Sequence, residues 1–249
     1  VTPTEIGKIY YEKCKTILHE LEDAENIAGL LQSEVQGKLM ISSSVAFGRR
    51  VLTPLVLQFM GQHPQLQVSL NLDDRYINLV EEGVDLAIRM GRLSDSSLGA
   101  RFLGLNPWVV VATPEYLEKN GTPSIPSDLS KHIALIYSSV QGDHRWQFTG
   151  RDGSNKSIQV NGPLYSNNLS TLLAATRNHL GIAALPWYVA YSSVQSRHLK
   201  PLLADWSLPA QEIHAVFSSP RLVPTKVSML IDWLAGQFRG NWWTQEIGS

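Results

Sequence analysis

Between Gly37 and Gly91 the apolar positions switch repeatedly between a period of two and a period near 3.6, with little loop between the switches. Lys38 to Ser44 reads as a mostly apolar strand ending in hydroxyls, and Leu52, Leu55, Val56 and Phe59 mark one face of a following helix that His63-Pro64 stops. Val68, Leu70 and Leu72 then alternate with Gln67, Ser69 and Asn71. Asp73 and Asp74 are placed to cap the next turn, and Val84 to Arg89 is another strand. The order is βαβαβ, which predicts parallel strands joined by right-handed crossovers.

Downstream, Ala100 to Leu105 and Trp108 to Ala112 are two strands around Asn106-Pro107, and Thr113-Pro114-Glu115 starts a helix. Gly121, Pro123 and Pro126 mark a loop, Ile133 to Tyr137 a strand, and Trp146 to Val160 a hairpin around Arg151-Asp152-Gly153-Ser154. A strand from Gln159 to Tyr165 leads through Ser166-Asn167-Asn168 into a helix from Leu169 to His179, and Gly181 to Leu185 returns as a strand closed by Pro186. A last strand, Ile213 to Phe217, and a last helix, about Pro224 to Phe238, cross back to the first unit. The expected architecture is α/β, two lobes of mixed sheets with a hinged cleft. Lobe I is expected to take residues 37–112 and 213–249, and lobe II residues 113–212.

The first 36 residues carry a different pattern. Thr2-Pro3-Thr4-Glu5 is a helix start, with a cap, a proline whose missing N–H costs nothing, and a glutamate that can bond back to the cap. Tyr10, Cys14, Ile17, Leu21, Ala24, Ala28, Leu31 and Val35 recur at spacings of four and three, the seam of a coiled coil. This predicts a linker helix that pairs with its copy in a dimer. Leu18, Ile27 and Leu30 widen the stripe, so a helix lying on its own domain is the competing reading.

Composition narrows the functional classes. The 249 residues are 43% apolar and 17% charged, which is ordinary for a globular protein, and the net charge of −1 offers a nucleic-acid backbone or an anionic membrane no general attraction. The arm is acidic, since Glu5, Glu12, Glu20, Glu22, Asp23, Glu25 and Glu34 outnumber Lys8, Lys13 and Lys15. The lone Cys14 excludes an intramolecular disulfide and fits a reducing cytoplasm. No basic segment precedes an apolar run and a cleavage site, and no apolar stretch reaches the ~18 residues of a membrane span.

Enzyme motifs are not found: no nucleophile elbow, Walker loop, dinucleotide fingerprint or His-Glu-x-x-His occurs. The seven histidines are scattered without metal-ligand spacing. No catalysis, cofactor or metal is expected. Small-molecule binding is expected instead where ligands meet open parallel sheets, beyond the carboxyl ends of strands. Ser43, Ser44 and Val45 follow the first strand, and Ser166, Asn167 and Asn168 hold the same position in the second lobe. These residues either clamp a small carboxylate from both sides or cap helices, as Ser and Asn do routinely. Arg89, before Gly91 at the end of a buried strand, either pairs with the anion through its planar fork or bridges to Asp73, Asp74 or Asp85.

Several runs carry a resemblance across nearly the whole chain. Gly37-Lys38-Leu39-Met40-Ile41-Ser42, Val51-Leu52-Thr53-Pro54-Leu55, His63-Pro64, the run from Leu79 to Gly91, Asp95 to Arg101, Val110 to Leu117 and Gly181 to Pro186 are similar to LysR-type transcriptional regulators of the CrgA-like branch. The resemblance implies a winged helix-turn-helix, then a linker helix, then a periplasmic-binding-protein-like effector domain of two lobes. On that reading residues 1–36 are the linker helix and promoter DNA is bound by an N-terminal head not present in this chain. The family places its inducer between the lobes and forms homodimers and homotetramers. Its relatives commonly read Ala-Pro-Val followed by Ser, Thr or Asp where this chain has Ser43-Ser44-Val45-Ala46, so the polar group has shifted along the loop and Ser43 or Ser44 inherits the contact. A periplasmic solute-binding protein of the same fold is the alternative. The absent secretory signal and the coiled-coil arm argue against it.

Overall fold

The structure, a computed structural model, describes residues 4–7, 9–11, 13–14, 16–18, 35–75, 79, 81–91, 93, 98–138, 144–218 and 223–244. The first lobe is a five-stranded sheet in the order β2-β1-β3-β13-β4, built from β1 (Gly37–Ser43), β2 (Leu66–Leu72), β3 (Leu86–Met90), β4 (Gly99–Asn106) and β13 (Gln211–Phe217). β1 runs parallel to both β2 and β3, with Leu39 opposite Val68 and Ser42 opposite Ala87. β13 enters antiparallel between β3 and β4. Helices α1 (Thr53–Gln62) and α5 (Thr225–Gln237) supply Leu55, Phe59, Leu230 and Leu234 to a core shared with Leu39, Ile41, Ile88 and Ile213.

The connection from β1 to α1 is a short helix, Val45–Phe47, followed by a π-helical turn, Gly48–Leu52. Gly48 lies so close to β2 that a Cβ there would overlap the Leu72 side chain. The extra residue of the π turn is a local widening of the kind that recurs at functional sites. Here it carries the chain past the lobe boundary while keeping Phe47, Val51 and Leu52 in the core.

The second lobe has the order β11-β5-β10-β6-β9, from β5 (Trp108–Ala112), β6 (Ile133–Tyr137), β9 (Asn161–Ser166), β10 (Ile182–Pro186) and β11 (Lys200–Leu202). Helices α2 (Pro114–Asn120), α3 (Leu169–Arg177) and α4 (Trp187–Gln195) complete it. A side sheet, β12-β7-β8, pairs β7 (Arg145–Gly150) with β8 (Asn155–Gln159) as an antiparallel hairpin and adds the two-residue β12 (Trp206–Ser207). The Trp146 and Phe148 rings of that hairpin are fully buried in the lobe II core.

Two expectations are corrected. The boundary after Ala112 is misplaced, because β5 belongs to lobe II, pairing antiparallel with β10 and β11. All five β5 residues are buried, whereas β4 is an edge strand exposing Phe102 and Leu105. Pro107, which has no N–H to donate to a ladder, sits at the change of sheet, and its carbonyl accepts from Trp187 N. The helical seam does not extend to Val35, which lies outside any helix and is buried in the lobe I core. Of the other seam positions, Tyr10, Cys14 and Ile17 are helical, with Tyr10 72% and Ile17 62% exposed, and Leu21, Ala24, Ala28 and Leu31 lie outside the described residues.

Candidate functional site

A cavity of about 240 Å³ lies where the two lobes meet. At about 30 Å³ per water molecule this is room for roughly eight waters, the size of a small metabolite. Lobe I contributes Ser44 from the end of β1, Asp73, Asp74 and Arg75 after β2, Ile88, Arg89 and Met90 from β3, and Gln211 from the start of β13. Lobe II contributes Trp108 at the start of β5, Tyr137 at the end of β6, Leu169 at the start of α3 and Tyr188 in the first turn of α4.

The acidic side of the cavity is held by internal contacts. Asp74 Oδ1 accepts from Val45 N at 3.0 Å, so the amide that opens the helix after β1 already has a carboxylate of the chain itself. Asp73 is gripped by Arg75, whose Nε donates to Asp73 Oδ2 at 2.9 Å and whose Nη2 donates to the same oxygen at 2.6 Å. Those hydrogen bonds, with one from the Arg75 amide, hold the Asp73 carboxyl at about 2. Asp85 accepts from Met40 N at 2.7 Å and ties β3 to β1.

The opposite side is organised by an indole. Trp108 Nε1 donates to Gln211 Oε1 at 2.9 Å, and Asn106 Nδ2 donates to the same oxygen at 3.1 Å. Both Trp108 and Asn106 are buried. The Trp108 and Tyr137 rings pack at 5.8 Å, giving this end an aromatic floor.

The lobes are joined behind the cavity by aromatic rings. Tyr188 of lobe II meets Phe47 edge-on at 5.4 Å and stacks against Trp242 at 6.3 Å and 25°. Trp242 in turn donates from Nε1 to the Leu105 carbonyl at 2.8 Å, fixing the segment after α5 on lobe I. Burial pushes the Tyr188 hydroxyl far above the ordinary tyrosine value, with Tyr137 adding to the rise and Arg50 opposing it.

Of the residues singled out from sequence, Ser44 and Arg89 line the cavity together. Ser44 precedes the short helix without making a side-chain cap. Ser43 is fully buried beside it, Val45 is spent on Asp74, and Gly91, at a φ of 91°, turns the chain out of β3 with its N–H bonded to Glu212 O. In lobe II, Asn168 Oδ1 caps α3 by accepting from Ser170 N and Thr171 N, and Ser166 Oγ accepts from Asn168 N. Ser166, Asn167 and Asn168 are not in the wall, and Leu169 is the residue of that loop that is. Trp108, Tyr137, Tyr188 and Gln211 were not identified from sequence. Trp108 and Tyr137 carried a signal, as large aromatic residues at strand ends facing a predicted cleft. The Val189, Ala190 and Ser193 face of α4, just after Pro186, would have located Tyr188.

Residues 32–239 match the family model described as the LysR substrate binding domain. An uncharacterized HTH-type transcriptional regulator of Haemophilus influenzae is 34% identical over 228 residues, covering 92% of this chain and 79% of the relative. The HTH-type transcriptional regulator CrgA of Neisseria meningitidis is 30% identical over 239 residues, covering 96% of this chain and 79% of its own length. The solved structure of CrgA superposes with a TM-score of 0.73 at 28% identity, covering 95% of this chain and 80% of that one. The full-length virulence activator AphB of Vibrio cholerae gives a TM-score of 0.73 at 25% identity over 96% of this chain and 81% of its own.

Proposed function

Because the chain belongs to the LysR substrate binding domain family and is the effector-binding part of a LysR-type transcriptional regulator, we propose that its effector occupies the cavity between the lobes. The observation that carries this reading is the convergence of four lobe I segments and four lobe II segments on one small, partly apolar space with a few polar groups, the usual make-up of a ligand site. The relatives are transcriptional regulators, which favours this reading over a periplasmic solute-binding protein of the same fold. Among the described residues no helix is long and apolar enough to cross a membrane, and no cluster of metal-ligating side chains occurs. The proposed setting is the cytoplasm, with promoter DNA as the output partner.

The effector is a small anionic molecule, and Ser44 and Arg89 are its lobe I contacts. Its binding energy differs between arrangements of the two lobes, which is the condition for occupancy to bias a conformational equilibrium. The arm serves self-association: Ile6, Ile9, Tyr10, Ile17 and Leu18 are all exposed on helical residues and are covered by a second copy in a dimer or tetramer. Removing residues 1–36 is expected to lower the oligomeric mass in solution, and an unchanged mass would refute that role.

The test of the cavity is a thermal-stability screen against small carboxylates, phenols, sulfonates and amino acids. A ligand at about 100 times its dissociation constant adds about 2.7 kcal/mol of stability. At roughly 2–4 °C per kcal/mol for a chain of this size the melting point rises by about 5–11 °C. Arg89→Ala and Ser44→Ala are expected to abolish or shrink that rise. A screen without a single stabilising compound, or hits indifferent to both substitutions, would overturn the assignment.

A further inference from the structure

We propose that Gln211 reads the acid head of the effector, and that the effector is a small carboxylic acid carrying a hydroxyl or ammonium at its other end. This deepens the cavity assignment above and rests on it.

An indole N–H can only donate, so the Gln211 atom facing Trp108 Nε1 at 2.9 Å is the carboxamide oxygen. Asn106 Nδ2 at 3.1 Å occupies that oxygen a second time. Flipping the carboxamide would set N–H against N–H at a buried indole, leaving the Trp108 donor without an acceptor. Gln211 Nε2 therefore faces the cavity as a donor of fixed orientation, and among the described residues it has no hydrogen-bond partner. A group that can donate and cannot accept selects an acceptor oxygen.

Sheet order sets the length and polarity of what fits. Gln211 starts β13 and Asp74 follows β2, and in the order β2-β1-β3-β13 these strands are three spacings apart. At about 4.8 Å per spacing that is about 14 Å between strand axes. Arg89 on β3 lies between them and next to the Gln211 end. The donor end of the cavity is thus Gln211 with Arg89, which suits a carboxylate. The acceptor end is Asp74, whose Oδ1 is engaged by Val45 N, which leaves Oδ2 to accept from a ligand donor. A simple monoacid leaves Asp74 unanswered, and a simple amine or alcohol leaves Gln211 unanswered.

The decisive variant is Gln211→Glu. Glutamate keeps an oxygen for both Trp108 and Asn106, so the fold is retained, while the inward donor becomes a negatively charged acceptor. The probes are hydroxy acids and amino acids of four to nine non-hydrogen atoms, each compared with its primary amide and with the acid lacking the hydroxyl or amine, read by thermal shift and by calorimetry. The hydroxy or amino acids are expected to stabilise the unaltered chain best, and Gln211→Glu is expected to weaken them by at least about tenfold, the range for a lost hydrogen bond to a charged group plus repulsion. Asp74→Asn, which preserves the cap through Oδ1, is expected to erase the advantage of the hydroxyl or amine while sparing simple acids. Acids that bind Gln211→Glu as tightly as the unaltered chain, while losing affinity on Arg89→Ala, would overturn the role of Gln211 and leave the cavity assignment standing. A panel with no binder at all would overturn both.

Discussion

Tyr188 is the side chain through which lobe II leans on lobe I, and truncating it to alanine gives a quantitative test of that contact. Its ring makes two aromatic contacts, edge-on to Phe47 and stacked on Trp242. Each is worth about 0.5–1.5 kcal/mol beyond area burial. The ring is half-buried, so it hides about 100 Å² of apolar surface, worth about 2.5 kcal/mol. Together these give about 3.5–5.5 kcal/mol, close to the range of aromatic-to-alanine substitutions elsewhere. For a chain of this size the melting point is expected to fall by at least about 7 °C, with altered fluorescence from Trp242. Tyr188→Phe separates ring from hydroxyl: it keeps both contacts and removes an oxygen with no hydrogen-bond partner among the described residues, so its stability should stay within about 1 kcal/mol of the parent. Urea denaturation of both variants is the assay. A loss below about 1 kcal/mol for Tyr188→Ala, or equal losses for the two variants, would refute the claim that the stacked ring joins the lobes.

Three further outcomes follow from specific contacts. Asp74→Ala removes the acceptor of the Val45 amide and is expected to cost about 1–2 kcal/mol, whereas Asp74→Asn, with its carbonyl in the same place, should recover most of it in the same denaturation experiment. Asp73 is depressed to about 2 by Arg75, so its contribution is fully present above the unfolded carboxylate range near 4 and is lost as pH falls through about 2. A carbon-detected titration should find its midpoint near 2, moving up toward 4 in Arg75→Ala, and no movement would show that Arg75 is not the cause. Gly162→Ala would push a Cβ into the carbonyl oxygen of Ala134, where β6 and β9 pair irregularly. Backbone cannot yield as a side chain does, so a loss of about 1–3 kcal/mol is expected on chemical denaturation, and a neutral substitution would refute that packing.

The strands β1, β2, β3, β6, β10 and β13 were legible because each carries an apolar run or an alternation bounded by Pro, Gly or Asp, and the hairpin β7–β8 because Asp152-Gly153 marks its turn. α4 was not legible, since Trp187 to Gln195 follows a strand directly and the residue at its cap is Pro186, which has no side-chain acceptor. Ser44 and Arg89 were legible as site residues because strand ends in a parallel sheet announce a ligand cleft. The lobe II wall was not. Ser166 and Asn168 have the composition of a polar contact, yet their oxygens are consumed at the start of α3.

The sequence by itself determined the local periods, the α/β class, the presence of two units and the polar strand ends that face each other. Those properties depend on residues within a few positions of one another. Only the tertiary structure decided that β5 leaves the first sheet at Pro107, that Val35 is core, that Asp74 answers Val45 across 29 residues, and that Gln211 is fixed by an indole 103 residues away. Hydrogen bonds and packing between distant segments leave no periodic trace in the chain, because the partners of each side chain are chosen by the closure of the fold and not by its neighbours in sequence.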